Sequence, residues 1–197
     1  MNWLAHLLLS EPDAAFRIGN LLPDVLSINE LDACDAEFRA GILRHQEIDA
    51  LTDSSPVVKA SIRRIAPPFR RFGGIIVDIL FDHFITTNWS RYSTSSLPVF
   101  IAEVHASFAK FESRLPTLAY QRLEAMRRGN WLNSYGDLDG LRTALDRTGS
   151  RLRKPVRLGE AVALITPHLR DFRDDFETFF PQLQATFSPM LMNPKDR

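Results

Sequence analysis

The stretch "VDILFDHFI", Val77–Ile85, decides how the rest of the chain is read. Around it Ile75, Ile76, Val77, Ile79, Leu80, Phe81, Phe84 and Ile85 fill nearly every direction of a helix and leave no strand-like alternation. Such a helix is buried on most sides. Yet Asp78, Asp82 and His83 interrupt it. The two aspartates, four residues apart, share a face, and His83 lies about 100° further round. Burying two carboxylates without partners is very costly, so each needs hydrogen-bond donors, a cation or a metal ion. Structural salt bridges to arginines and a shared polar site both meet that need.

The helical period continues outward in both directions. Helices are expected over residues 2–10, 36–52, 56–66, 74–92, 98–113, 117–129, 137–148 and 158–187. The expected fold is all-α, a single compact helical domain over residues 1–190 with residues 191–197 as a disordered tail. Asp53, Ser54 and Ser55 before Pro56 offer a cap followed by proline at a first helical position, and Pro67 and Pro68 stop that helix. Gly73 and Gly74 release the next one.

With 197 residues and no Pro/Ser/Gly-rich linker, the chain suits one domain. The 24 basic and 24 acidic residues cancel, so no overall field draws the molecule to nucleic acid or to an anionic membrane. One cysteine, Cys34, excludes an internal disulfide and a Cys-based metal cluster. "MNWLAHLLLS" is too short to span a bilayer and lacks the basic leader of a signal peptide, so a cytoplasmic location is expected.

A second stretch carries the same anomaly. In "EFRAGILRHQEIDALTD" the apolar stripe of Phe38 and Ile42 runs on through His45, Asp49 and Thr52, at steps of four, three, four and three. His45 and Asp49 stand one turn apart and can point at one ion, although a lone histidine on such a face is more often a satisfied core residue. Asp53 lies one turn beyond. In "RIGNLLPD", Gly19 and Asn20 suggest a turn, and Pro23 makes Asp24 a carboxylate on rigid backbone, or a plain helix cap. His6 is a weaker candidate. Asp and His ligands suit manganese, iron or magnesium better than a thiol-selected metal, with zinc admitted.

Two basic clusters stand out. "LRTALDRTGSRLRKPVR" holds Arg142, Arg147, Arg151, Arg153, Lys154 and Arg157, and "RRIAPPFRR" holds Arg63, Arg64, Arg70 and Arg71. Each suits an acidic partner or an ordinary solvated face, and neither carries a nucleic-acid-binding motif. Phe172, Phe176, Phe179, Leu183 and Phe187 are spaced as core, with an acyl pocket as the lesser alternative. Trp131 and Tyr135, read as helical neighbours, pack in the structure or shape a ligand channel.

In order along the chain, "MNWLAHLLLS", "GNLLPD", "HQEIDALTD", "DILFDHF", "WLNSYGDLDGL" and "FETFFPQL" resemble the acyl-carrier-protein phosphodiesterase family. The resemblance implies a divergent relative of the HD-domain metal phosphohydrolases. It also implies removal of 4'-phosphopantetheine from the serine of holo acyl carrier protein, with manganese as the favoured metal. The matching positions are His6, Asn20, Asp24, His45, Asp49, Asp53, Asp78, Asp82 and His83. The expected metal set is Asp24, His45, Asp82 and His83. Asp49 and Asp78 would orient imidazoles or serve a second ion, and His6 would give a proton to the leaving serine oxygen. Arg63, Arg64, Arg70, Arg71, Arg151, Arg153 and Lys154 would meet the acidic carrier protein. Gln46 stands where the family often has arginine, leaving Arg44 as a substitute phosphate contact, and Asp82-His83 reverses the usual His-Asp order. Rival readings are an HD-type nucleotide phosphohydrolase and a helical module that binds acyl carrier protein without cleaving it.

Overall fold

A computed structural model describes residues 1–187. It contains α1 (Trp3–Leu8), α2 (Ala14–Gly19), α3 (Ile28–Asp32), α4 (Arg39–Ser54), α5 (Pro56–Arg64), α6 (Gly73–Thr87), α7 (Leu97–Lys110), α8 (Thr117–Arg128), α9 (Leu138–Gly149), α10 (Ala161–Ile165) and α11 (Leu169–Phe187). No strand occurs among the described residues, and the all-α expectation holds. The expected tail at 191–197 lies outside the described residues. No described helix is long and apolar enough to cross a membrane.

Helix α6 is the axis, as its composition demands. It packs against α1, α5, α9, α11 and the 3-10 turns at Trp131–Gly136, and ten of its residues are buried. Its Phe81 and Phe84 rings meet Phe176 of α11 at 5.2 and 5.7 Å. Phe172, Phe176, Phe179, Leu183 and Phe187 are all buried, which settles that stripe as core. Ser55 caps α5, its hydroxyl accepting from the Val58 amide, and Pro56 takes the first turn, where no amide donor is needed.

Three differences from the sequence reading have physical causes. The helix expected over 158–187 is broken by a 3-10 turn at Thr166–His168, where Pro167 has no amide to continue the ladder. Helices α2 and α3 are too short for periodicity to reveal, and local caps define them: Asp13 accepts from the Phe16 amide, and Ser27 and Glu30 form a capping box. Trp131–Gly136 is 3-10, not α, so Trp131 and Tyr135 do not form a regular i, i+4 pair. Left-handed Asn130 (φ 48°) separates this segment from α8.

Gly19 and Gly41 matter through what they leave out. A Cβ on Gly41 would sit 2.8 Å from the Gly19 Cα and inside the Phe16 carbonyl oxygen. Helices α2 and α4 therefore cross backbone against backbone, which brings Asn20 onto the buried face of α4.

Candidate functional site

The crossing sets up a pair of histidines. The His6 and His45 rings stack at 4.0 Å with a 9° interplanar angle. Asn20 fixes both. Its Nδ2 donates to the His6 carbonyl at 2.7 Å and to Ser10 Oγ at 2.8 Å, leaving Oδ1 as an acceptor for His6 Nδ1 at 3.1 Å. The Asn20 carbonyl likewise takes His45 Nδ1 at 2.8 Å. Both protons are thereby placed on Nδ1, and both Nε2 atoms turn toward Asp49.

Asp49 Oδ1 lies 3.3 Å from His6 Nε2, and its Oδ2 lies 3.1 Å from His45 Nε2. The Met1 amino group donates to Asp49 Oδ1 at 3.1 Å and stands 3.5 Å from Asp78. Asp24, at the end of a 3-10 turn, places a carboxylate oxygen 3.9 Å from His45 Nε2. One ligand atom from each of His6, His45 and Asp49 falls within 4.8 Å of the others. His6 Nε2 is buried, yet it makes no hydrogen bond. A lone pair directed at a carboxylate, with no hydrogen between them, is what a cation would satisfy. Two imidazole nitrogens with carboxylate oxygens are a donor set suited to a divalent transition metal.

The electrostatics agree. Burial lowers the His6 pKa and keeps its ring neutral. At His45 burial opposes the charged ring, but the contact with Asp49 and the charge of Asp24 prevail and raise the pKa. A proton and a metal ion thus compete for His45 Nε2. Burial also works against the Asp49 carboxylate, and the contact with His45 and the Met1 ammonium overcome it, holding Asp49 well below the usual range. Burial opposes the Met1 ammonium in turn, while Asp78 and Asp49 carry its pKa to about 10.

The rest of the expected metal set lies elsewhere. Asp82 is completely buried and accepts from the Leu4 amide (2.9 Å), the Ala5 amide (3.0 Å) and Asn2 Nδ2 (2.8 Å). Its carboxylate thus caps the first turn of α1 instead of meeting His45. His83 is occupied at Nδ1 by the Tyr135 carbonyl at 2.6 Å, which pins the 3-10 segment to α6. The structure thus holds Asp82 at the α1 amides and His83 at the Tyr135 carbonyl, apart from the His6, His45 and Asp49 cluster. His6, expected to act as a proton donor, is completely buried and neutral, which suits a ligand and not an acid reaching substrate. Asp53 is exposed and outside the cluster. Arg44 cannot stand in for the absent arginine at Gln46: its Nη1 donates to the Leu9 and Phe187 carbonyls, and its guanidinium lies over the Phe16 and Phe187 rings. Arg64 is likewise held, by Asp175 at 2.6 Å, while Arg63, Arg70 and Arg71 are exposed.

A cleft lies beside the cluster, bordered by its neighbours and not by His6, His45 or Asp49 themselves. Asp24, Asp78 and Met1 share its lining with Asn2, Trp3, Tyr135, Trp131, Arg147 and Arg151. The two guanidiniums lie over the Trp131 ring at 4.0 and 5.0 Å. Sequence reading placed Arg147 only within a basic run. Its spacing of four from Arg151 was visible, but nothing tied either residue to Trp131.

The family model for acyl carrier protein phosphodiesterase matches residues 1–183. The chain belongs to that family. It is an enzyme of the phosphodiesterase type. Among its relatives, the acyl carrier protein phosphodiesterase of Photorhabdus laumondii subsp. laumondii is 32% identical over 93% of this chain and 93% of its own length. That of Yersinia pestis is 30% identical, covering 93% and 95%, and that of an Enterobacter species is 29% identical, covering 94% and 96%. No solved structure matches.

Proposed function

We propose that this chain hydrolyses the phosphodiester linking 4'-phosphopantetheine to the serine of holo acyl carrier protein, releasing the apo protein. The observation that carries this reading is the pair of Nε2 atoms, held in one tautomer by Asn20 and directed at Asp49 beside an open cleft. His6, His45 and Asp49 would hold a divalent cation, manganese by the family resemblance, with Asp24 at the rim as a further oxygen donor. Bound there, such an ion supplies Lewis acidity toward a phosphoryl group.

The chain's own residues do the rest. Asn20 keeps both imidazoles oriented, so that little reorganisation is needed on binding. The Met1 ammonium offsets the charge of Asp49 and Asp78, which limits the repulsion between these two carboxylates. Asp78, its pKa raised by burial, lines the cleft and is placed to exchange a proton with a bound group. Arg151, Arg153 and Lys154 follow α9 from the cleft onto an exposed surface and would steer an acidic carrier protein toward it. Kinship with the HD-domain hydrolases rests on the resemblance alone, and Asp82-His83 lends it no support.

Incubation with holo acyl carrier protein and manganese, read by intact-protein mass spectrometry, tests the reading. The carrier protein is expected to lose the mass of its prosthetic group. A carrier protein that stays intact, or one that co-elutes uncleaved with this chain, would overturn it. Equilibrium manganese binding by wild type and by Asp49→Asn tests the ligand set separately: at least a tenfold loss of affinity is expected when a ligand carboxylate becomes an amide.

A further inference from the structure

We propose that Arg147 and Arg151, laid together on the Trp131 ring, form a phosphate-binding subsite in the cleft that Asp24 and Asp78 also line. The proposal rests on the phosphodiesterase reading only for the identity of the anion, the phosphate of a pantetheine arm. The subsite itself rests on geometry.

Several exposed arginines of this molecule are answered by a carboxylate. Arg64 pairs with Asp175, Arg91 with Glu177 and Arg127 with Glu124. Arg147 and Arg151 differ. Among the described residues neither has a carboxylate within 4.0 Å, although both line a cleft that contains two aspartates. They stand one turn apart, where like charges repel. Arg147 is partly buried, which adds a desolvation cost, and burial depresses the pKa of both. Trp131 carries both guanidiniums and itself packs against Trp3, the two rings tilted by 33° with centroids 5.6 Å apart. Two neighbouring cations, aligned by one aromatic plane and lacking a counter-ion, are preorganised for an anion that can take more than one donor pair. A phosphate does so, because its oxygens match the planar fork of arginine.

The surroundings refine the ligand. Trp3, Ile75 and Ile79 give the same cleft an apolar floor, which suits an alkyl arm attached to that phosphate. A nearby neutral Asn2 amide and the Tyr135 hydroxyl complete a lining able to take a polar, uncharged chain. Inorganic phosphate should therefore bind more weakly than 4'-phosphopantetheine.

Calorimetric titration of metal-free wild type, Arg147→Gln, Arg151→Gln and Arg147→Lys with inorganic phosphate and with 4'-phosphopantetheine tests the subsite without turnover. Each glutamine variant should lose about tenfold in affinity for 4'-phosphopantetheine, near the lower end for a charged hydrogen bond. Arg147→Lys should recover part of that loss, since it restores charge but not the fork. In turnover of holo acyl carrier protein the loss should appear mainly in KM. Unchanged affinity in folded Arg147→Gln and Arg151→Gln overturns the subsite, as does equal binding of inorganic phosphate by wild type and by both variants. If wild type binds 4'-phosphopantetheine with this dependence but leaves the carrier protein intact, the phosphodiesterase reading fails while the subsite stands.

Discussion

Replacing Asp82 with alanine separates the two roles a buried carboxylate on α6 can have. In the structure this side chain receives the amides of Leu4 and Ala5 and the side chain of Asn2. Leu4 and Ala5 are completely buried, so their amides have no water to turn to once the carboxylate is gone. Each stranded amide costs about 1–3 kcal/mol. Asn2 keeps a bond to the Tyr135 hydroxyl at 3.0 Å and loses less. Against this, burial raises the Asp82 pKa to about 7, so removing a poorly solvated charge returns part of the loss. The net expectation is a destabilisation of about 2–4 kcal/mol, or a fall in Tm of roughly 5–15 °C for a chain of this size. Thermal unfolding followed by circular dichroism and manganese affinity should be measured together at low temperature. Asp82→Ala should unfold early but bind manganese within a few-fold of wild type while folded. Asp49→Asn should lose some stability with its contacts to Met1 and His45, and should weaken metal binding much more than Asp82→Ala does. Refutation is plain: an Asp82→Ala protein with wild-type Tm and no metal affinity would restore Asp82 as a ligand and remove it from the α1 cap.

Gly41→Ala should destabilise the protein by about 2 kcal/mol or more through overpacking, because its Cβ would collide with the Phe16 carbonyl and α2 must move off α4. Manganese affinity should fall with it, since the same shift displaces Asn20 from His45, and both are read by thermal unfolding and metal titration. Changing Arg151, Arg153 and Lys154 to Glu should raise the KM for holo acyl carrier protein at low salt and narrow the difference as salt rises, a result that unaltered kinetics at low ionic strength would contradict. The pH dependence of stability carries a sign. Asp82 has a folded pKa near 7 against an ordinary 3.8, so the folded state holds the extra proton between those values. Its contribution is therefore full below pH 3.8 and is lost as pH rises through 7. Denaturant unfolding from pH 4 to 7.5 should lose stability less steeply in Asp82→Asn than in wild type, and parallel slopes would count against a neutral buried Asp82.

The α6 stretch was legible as an anomaly and illegible as a mechanism, for a reason its partners make clear. Periodicity tells which side chains face inward, and it correctly marked Asp82 and His83 as buried polar groups that need partners. It carries no record of backbone donors. The Leu4 and Ala5 amides lie 78 and 77 residues from Asp82, and the Tyr135 carbonyl lies 52 from His83, with no side-chain signature at the backbone end. The opposite happened at His6. Helix α1 spans only six residues, too few for a face to declare itself, so its histidine looked incidental. What promotes it is the contact of Gly19 with Gly41, which lets Asn20 reach both imidazoles at once. The readable signal was a glycine immediately before an asparagine, taken as a turn. Its physical content was close approach of two backbones: Asn20 does follow the end of α2, but no described glycine has positive φ. His45 and Asp49 were easier, because one turn of a long helix holds both and their spacing alone aims them together. The site is thus readable where a single helix builds it, and hidden where a glycine contact or a main-chain amide joins distant segments.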